Sequence, residues 1–520
     1  MKTITFNLES PHENRIEETR LAAERGEARA QFLLGIFYAS GSPQPRDPAE
    51  AVRWLTLAGS QGLPAAQFSL GLILYNGLGV PSDKAEGVRW FLLAAEQDFA
   101  PAQLNLGLAL YHGQGTARDR LMAAKWHRRA ADQGLASAQY CLGRLYYEGS
   151  GVAQDRAEAF KLFEKAALQG YPPAQSNLGF MYLSGDGTEQ SLPEAIRYFT
   201  LAARQGEPRS QFSLGSIYSH GQGVQQNFSE AAMWFRRAAD QGVASARSAL
   251  GLMHLHGRGM PVNKSEAASL FLQAARQGDA EAQFNLGSMH YFGTGVRQDT
   301  SEAVRWLYLA SEQGLAEAQF ALGSLYQTGS GGWQDLPEGI QWFRRAALQG
   351  EAKSQFNLGI FYRDGRGVEK DLSEAARWFR LAADQGQPEA QFCLGSLFYA
   401  GLGEDSNLTE AFRWFRQAAL KRHAKAQHMT GVMYYRGQGA GKNLPEALKW
   451  FSQAAAQGHP DSQLILGRMF LYGQGTDRDL AEAQKWLRLA AEKGQTMAKV
   501  LLDKISDPAP GIQPEAKILH

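Results

Sequence analysis

Glycine pairs of the form Gly-x-Gly recur along this chain, and glycine-rich loops are able to hold phosphates. A phosphate loop, however, follows a strand, opens a helix and usually carries a Lys-Ser/Thr pair. Here each pair, such as Gly293 and Gly295, follows a helical segment, and the pattern occurs twelve times. A thirteenth place has Gly41 and Pro43 instead. The spacing therefore predicts turns with positive φ between helices.

Histidines are the second group that could support chemistry, since clustered imidazoles bind zinc. His254 and His290 hold the same position in two successive repeats, and His256 lies close in sequence. Packed helices lie roughly 8–10 Å apart, whereas ligands bind one zinc ion at about 2 Å. Equivalent positions in neighbouring units are therefore too far apart to share an ion. We expect packing or surface roles for these side chains and predict no metal site.

A catalytic set is not predicted either. No Ser/His/Asp or Cys/His group can be assigned, and Cys141 and Cys393 lie too far apart along the chain for a disulfide. The 53 basic and 52 acidic residues leave a net charge of about +1, which provides no global field for nucleic acid or an anionic membrane. We therefore expect no enzyme activity, no cofactor and no nucleic-acid partner.

A repeat of 36 residues positions all of these side chains, and its marker is a glycine that usually follows leucine. We call it the register glycine; it occurs without insertion or deletion at Gly35, Gly71, Gly107, Gly143, Gly179, Gly215, Gly251, Gly287, Gly323, Gly359, Gly395, Gly431 and Gly467. Each unit is predicted to be two short helices. Helix A contains the register glycine, where the missing side chain lets a partner helix approach closely. Helix B follows the Gly-x-Gly turn.

Helix B begins with a strong capping signal. Asp, Asn or Ser stands twelve residues after each register glycine, and Glu follows three residues later in twelve of thirteen repeats, as in Asp299 and Glu302. The first side chain is expected to cap the helix and the Glu to reach back to it. Asp119 is followed by Met122, so its helix is expected to be less well capped. Further along, ten repeats carry a Trp and all carry an Ala four residues later, which predicts a buried stripe.

The domain organisation follows from this register. We predict a flexible N-terminus over residues 1–14, a capping helix over 15–26, thirteen repeats over 27–494, a C-terminal capping helix over 495–505 and a disordered tail over 506–520. The first residues lack the apolar stretch of a secretory signal, and polar residues interrupt every apolar run before 18 residues. We therefore expect a cytoplasmic protein with no membrane span.

The recurring string AQFxLGxxYxxGxGVxxDxxEAxRWFxxAAxQG resembles the Sel-1-like repeat family, which is related to tetratricopeptide repeats. Residues 282–314 show nearly all of it, and the resemblance covers roughly residues 15–505. It implies an all-α fold, a right-handed α-solenoid superhelix of helix–turn–helix repeats, and a role as a scaffold or adaptor for proteins. The chain lacks the many cysteines of one branch, the signal and anchor of the endoplasmic-reticulum adaptor, and a lipidated N-terminal cysteine. It is thus most similar to bacterial cytoplasmic members, although a secreted effector stays open.

By analogy with tetratricopeptide repeats, helix A is expected to line the concave face of the superhelix. The positions three before, one after and four after the register glycine form one helical stripe there. The predicted partner-binding residues are Tyr75, Tyr111, Arg144, Tyr147, Phe284, Tyr291, Phe320, Phe356, Arg363, Tyr399 and Tyr435. For the aromatic position three before the glycine, packing between repeats is the alternative. Tyr and Arg often dominate interface energetics.

The expected function is therefore a non-catalytic scaffold that binds a peptide or partner helix in this groove. The partner is a protein of unknown identity, and self-association is a further possibility. The alternative is a ligand-binding or hydrolytic protein that acts on cell-wall or small-molecule substrates. That class needs convergent polar groups in a closed pocket, which an open solenoid rarely provides.

Overall fold

A computed structural model describes residues 13–42, 45–329, 332, 334–402 and 406–506, with the side chains of 13–16 and 506 excepted. The described chain is all-α and consists of 28 helices. It divides into two compact units, Met1–Val262 and Asn263–His520. Nearly all of the predicted flexible N-terminus (1–14) and disordered tail (506–520) falls outside the described residues.

The first unit is an alternation of B and A helices in which each helix packs against the next. Its helices are α1 Glu13–Glu24, α2 Ala28–Ser40, α3 Pro48–Ser60, α4 Pro64–Asn76, α5 Lys84–Glu96, α6 Ala100–His112, α7 Arg120–Asp132, α8 Ala136–Glu148, α9 Arg156–Leu168, α10 Pro172–Ser184, α11 Leu192–Arg204, α12 Pro208–His220, α13 Phe228–Asp240 and α14 Ala244–His256. Odd numbers are helices B and even numbers are helices A.

The second unit has the same alternation. Its helices are α15 Lys264–Arg276, α16 Ala280–Phe292, α17 Thr300–Glu312, α18 Ala316–Thr328, α19 Leu336–Leu348, α20 Ala352–Asp364, α21 Leu372–Asp384, α22 Pro388–Ala400, α23 Leu408–Leu420, α24 Ala424–Arg436, α25 Leu444–Ala456, α26 Pro460–Tyr472, α27 Leu480–Glu492 and α28 Thr496–Ser506. Helices α1 and α28 overlap residues 15–26 and 495–505, over which the two terminal helices are predicted. The stacked helix pairs confirm the α-solenoid class.

The predicted side-chain caps of helix B are present, but the Glu three residues later does not make the return hydrogen bond that was expected of it. Asp299 Oδ1 accepts from the backbone N–H of Glu302 at 3.1 Å. The N–H of Asp299 donates to the helix A carbonyl of His290 at 2.9 Å, so the Glu is not the group that satisfies it. Asp119 Oδ1 accepts from Met122 N at 2.9 Å, so the hydrogen bond of the cap is present in this repeat too, although the first turn of α7 contains no acidic side chain.

The register glycine allows helices A and B of one repeat to touch, as predicted. A Cβ on Gly179 would lie 2.5 Å from the Phe199 ring, and one on Gly431 would lie 2.8 Å from the Phe451 ring. Both rings are almost fully buried. The alanine of helix B is completely buried in every repeat, for example Ala310. These contacts fix the spacing within each helix pair.

Turn geometry follows the glycine pattern and persists where glycine is absent. Gly473 and Gly475 have φ of 66° and 77°. A Cβ on Gly475 would meet the backbone of Leu444 at 2.7 Å, so this turn lies directly on the preceding helix B. Asp98 and Arg422 replace the glycine at the end of helix B and still adopt φ of 57° and 66°.

A line of buried glutamines, which no sequence pattern predicted, ties consecutive repeats together. Gln175 Nε2 donates to the Ala167 carbonyl at 3.2 Å, and its Oε1 accepts from Gln205 Nε2 at 2.8 Å. Equivalent buried glutamines are Gln31, Gln67, Gln103, Gln139, Gln211, Gln283, Gln319, Gln355, Gln391, Gln427 and Gln463. Because buried polar groups are costly without partners, this ladder favours one alignment of each repeat on the next.

Over the described ranges, no helix combines the length and apolar character needed to cross a membrane.

Candidate functional site

The predicted stripe on helix A is a partly open surface. In α16, Phe284, Ser288 and Tyr291 are each half-buried, whereas Leu286 and Met289 between them are buried. We call the positions three before, one after and four after the register glycine the helix A face. The fold therefore leaves these side chains accessible while their neighbours form the core.

The aromatic side chains three before the register glycine pack on helix B of their own repeat. Phe320 and Phe343 have ring centroids 5.8 Å apart, as do Phe356 and Phe379. Phe284 packs against the apolar cluster that contains Leu307. These contacts give the three phenylalanines a structural role, and only the outer part of each ring is open to a partner.

The tyrosines four after the register glycine reach the Gly-x-Gly region of the next repeat. Tyr75 donates to Gln114 at 2.9 Å, and Tyr111 donates to Glu148 at 3.2 Å. Tyr291 lies on the cluster of Val304 and Leu307. Partial burial raises the pKa of Tyr75 above its ordinary value. Hydroxyls in this column thus hold neighbouring repeats together and keep each ring in place.

The guanidinium group of Arg363 is already bound by neighbouring side chains. Its guanidinium forms a bidentate pair with Asp364 at 2.7 and 3.0 Å, and Nη1 lies 3.9 Å from Cys393 Sγ. The hydrogen bond from Arg363 lowers the pKa of Asp364. This predicted site residue is therefore already neutralised by a neighbour in sequence.

Other predicted residues meet in a groove on α8, α10 and α12, which we call the N-terminal groove. Its volume is about 450 Å³, and it is lined by Tyr140, Arg144, Tyr147, Glu148, Phe163, Asn177, Phe180, Met181 and Arg209. Its charged groups are largely engaged within the chain. Arg144 pairs with Glu148 at 2.8 Å, and the Arg209 guanidinium lies 4.9 Å from the Phe180 ring centroid.

A second groove, on α22, α24 and α26, contains Tyr399 and Tyr435; we call it the C-terminal groove. Its volume is about 420 Å³, and it is lined by Tyr399, His428, Met429, Val432, Tyr435, Arg436, Phe451, Asp461, Leu464, Ile465 and Arg468. The hydroxyls of Tyr399 and Tyr435 donate to Gln438 at 3.2 Å and Gln474 at 2.9 Å. The two rings are therefore fixed as walls of the groove.

One of the residues that line the C-terminal groove, His428, stacks on a second imidazole, His459. His428 and His459 have ring centroids 4.5 Å apart, and His428 Nδ1 lies 2.8 Å from Ser462 Oγ. Burial, with a smaller effect from His459, lowers the pKa of His428 to about 4. The groove therefore has an uncharged histidine at neutral pH.

A small cavity next to the N-terminal groove is lined by a buried histidine that no sequence pattern predicted. His127 replaces the Phe or Leu that lies beneath the register glycine in other repeats, and it lines the cavity with Tyr111, Cys141 and Arg144. Its side chain is 2 % exposed, and burial lowers its pKa to about 4. Burial likewise raises the pKa of the Cys141 thiol to about 11. Both groups are thus uncharged at neutral pH.

Neither cysteine forms a disulfide. Within the described ranges, no group of three or more His, Cys, Asp and Glu side chains is placed to hold a metal ion. Several groove residues, among them Arg209, Arg436 and Ile465, lie outside the three predicted columns. They occur six before, five after and two before a register glycine, and variation at those positions was the available signal.

Comparisons with known proteins agree with this architecture. The Sel1 repeat family model matches thirteen consecutive segments, from residues 28–63 to residues 460–495. A protective antigen of uropathogenic Escherichia coli strains, with an SLR fold, is similar at 35% identity and a TM-score of 0.68. The match covers 81% of this chain and 91% of that one.

A Sel1 repeat protein from Oxalobacter formigenes is 36% identical over 60% of this chain and 90% of its own, with a TM-score of 0.47. The comparison with curated proteins finds no match. The resemblance that the repeat string predicts is confirmed by the contiguous family match. This chain belongs to the Sel1 repeat family.

Proposed function

We propose that this protein is a non-catalytic scaffold that binds a segment of a partner protein along the helix A face. Solenoid repeats of this family generally mediate protein–protein interactions. The observation that carries the proposal is the pair of grooves on helices A, each lined by aromatic and arginine side chains from three successive repeats. Such side chains dominate the energetics of many protein interfaces.

Helix B offers a competing surface, so the test must separate the two faces. Leu108 on α6 is 36% exposed and lies one after a register glycine, whereas Leu201 on α11 is 40% exposed on helix B. Leu108→Arg and Leu201→Arg therefore introduce the same charge at matched exposure on different faces. Both variants should keep the melting temperature of the parent.

Affinity capture from the native lysate, followed by mass spectrometry, identifies the bound proteins. We expect Leu108→Arg and Arg144→Glu to lose a partner that Leu201→Arg retains. Retention of every partner by both helix A variants, or loss only with Leu201→Arg, would contradict the proposal. Turnover in a hydrolase screen that disappears when one His or Asp is replaced would contradict its non-catalytic part.

A further inference from the structure

The C-terminal groove combines an apolar floor with two arginines that have no partner in the described chain. Met429, Val432, Leu464 and Ile465 are half-buried and form its floor. Arg436 is exposed and Arg468 is half-buried, and both line the same groove. The floor is therefore an open apolar surface beside two cationic groups.

The two guanidinium groups are not neutralised from within the described chain. Neither Arg436 nor Arg468 forms a hydrogen bond, an ion pair or a ring contact with another described residue. Asp461 is the carboxylate of the groove, and its Oδ1 accepts from Gln495 Nε2 at 2.6 Å. His428 is uncharged at neutral pH and adds no charge to the groove. Because two arginines face a single carboxylate, the groove has an excess of positive charge.

The remaining polar groups of the groove are already satisfied. Tyr399 and Tyr435 donate to the turns of the next repeats, and His428 is bonded to Ser462. A ligand therefore meets fixed apolar and aromatic walls, with Arg436 and Arg468 as the available donors. Planar guanidinium groups bind carboxylates through two parallel hydrogen bonds.

We propose that the C-terminal groove binds a segment of a partner protein in which aliphatic side chains alternate with carboxylates. The aliphatic side chains would cover Met429, Val432, Leu464 and Ile465, and the carboxylates would pair with Arg436 and Arg468. Charge complementarity selects this occupant over a neutral or basic segment. The inference rests on the proposed function and adds the chemistry of the partner.

The test uses fluorescein-labelled peptides and the full-length protein. One short peptide alternates glutamate with leucine, and its controls replace each glutamate with glutamine or lysine. Fluorescence anisotropy should give a dissociation constant at least tenfold lower for the glutamate peptide than for either control. That preference should diminish as salt is raised, because screening weakens exposed charge pairs.

The double variant Arg436→Gln/Arg468→Gln should lose the tenfold preference while its circular dichroism stays unchanged. Arg209→Gln, in the N-terminal groove, is the matched control and should retain it. Equal binding of all three peptides, or an unchanged preference in the double variant, overturns the inference. Concentration-dependent self-association that requires Arg436 and Arg468 overturns it in favour of a second copy of this chain.

The two proposals can fail separately. If Leu108→Arg loses captured partners but the peptides are not distinguished, the scaffold function stands and the inference about the C-terminal groove fails. If neither helix A variant changes capture and no peptide binds, both fail.

Discussion

The N-terminal groove and the C-terminal groove occupy equivalent positions in different repeats, but they differ in what they leave unpaired. In the N-terminal groove, Arg144 is paired with Glu148 and Arg209 stacks on Phe180. In the C-terminal groove, Arg436 and Arg468 have no described partner and the floor is aliphatic. The repeat backbone thus supplies the same frame twice, while the side chains at variable positions decide which ligand chemistry each groove can satisfy.

The same contrast extends to an aromatic stack in which one ring of each pair lines the groove, namely Tyr140 in the N-terminal groove and His428 in the C-terminal groove. Tyr140 and Tyr171 have ring centroids 5.4 Å apart, whereas His428 and His459 occupy the corresponding positions at 4.5 Å. Replacement of the phenols by imidazoles brings the rings closer together and nearly parallel, with an interplanar angle of 20° instead of 56°, and adds groups that acid can protonate. The lining of the C-terminal groove therefore contains a histidine that responds to acid, whereas the lining of the N-terminal groove contains none. The buried His127 should respond to acid as well, in the cavity beside the N-terminal groove.

The largest expected effect comes from removing the close helix contact under either groove. Gly431→Ala would place a methyl group 2.8 Å from the Phe451 ring, and Gly179→Ala would place one 2.5 Å from Phe199. We expect each to cost about 3 kcal/mol, as overpacking of a rigid core does. Hydrogen exchange should show lost protection mainly in the helix pair that contains the substitution, because repeats interact with their nearest neighbours.

Gly441→Ala is the control, since nothing lies within 4 Å of its Cβ position. It should change stability by less than about 0.5 kcal/mol. Equal loss of protection in both grooves after a single substitution would show that they are not independent.

The next largest effect should be a loss of stability around the C-terminal groove at low pH. Burial lowers the pKa of His428 to about 4, compared with about 6.5 in an unfolded chain. The unfolded state therefore binds the proton more readily. As a result, the contribution of the uncharged His428 to the free energy of unfolding is fully present above about pH 6.5 and is lost progressively as the pH falls to about 4. Between pH 7 and pH 5 we expect a loss of about 2 kcal/mol.

His428→Tyr, which restores the residue type of Tyr140, should remove this loss. Hydrogen exchange of α24 and α26 at the two pH values measures it, with α10 and α12 as the internal reference. Helix α8 is not suitable as a reference, because it lines the cavity of His127, whose pKa is lowered as well. Parallel pH dependence in wild type and variant would contradict the assignment to His428.

A smaller effect should follow from making the N-terminal groove resemble the C-terminal one. Glu148→Gln removes the carboxylate that neutralises Arg144 but keeps an acceptor for the Tyr111 hydroxyl. In the Arg436→Gln/Arg468→Gln background, we expect the glutamate–leucine peptide to bind about threefold to tenfold more tightly once Arg144 is free. No gain would mean that the apolar floor, rather than the free arginine, distinguishes the grooves.

The smallest expected effect concerns the tyrosine hydroxyls that fix the groove walls. Tyr147 donates to the Asp186 carboxylate at 3.0 Å, and Tyr435 donates to the Gln474 amide at 2.9 Å. Because a charged acceptor gives the stronger hydrogen bond, Tyr147→Phe should cost about 1 kcal/mol and Tyr435→Phe about 0.5 kcal/mol. Thermal unfolding of the two variants checks the order, and the reverse order would contradict it.

Much of the fold could be predicted from the repeat, because the signals were local. Asp299 caps a helix through its own chain neighbours, and Asp98 and Arg422 adopt the glycine-like conformation because the helix end requires it. The groove residues were harder to predict. A groove between successive helices A is lined by different flanks of each, so Arg209 of one repeat lies on Phe180 of the repeat before it.

The sequence by itself determined the period, the helix pairs, the caps and the family, because each depends on residues close in the chain or repeated in strict register. Only the tertiary structure decided that the buried glutamines link repeats and that Arg144 and Arg363 are already paired. It also decided that Arg436 and Arg468 lie beside an apolar floor without a partner among the described residues. Those distinctions depend on which side chains meet across repeats. That pairing is set by the packing of whole helices and cannot be inferred from a column of residues.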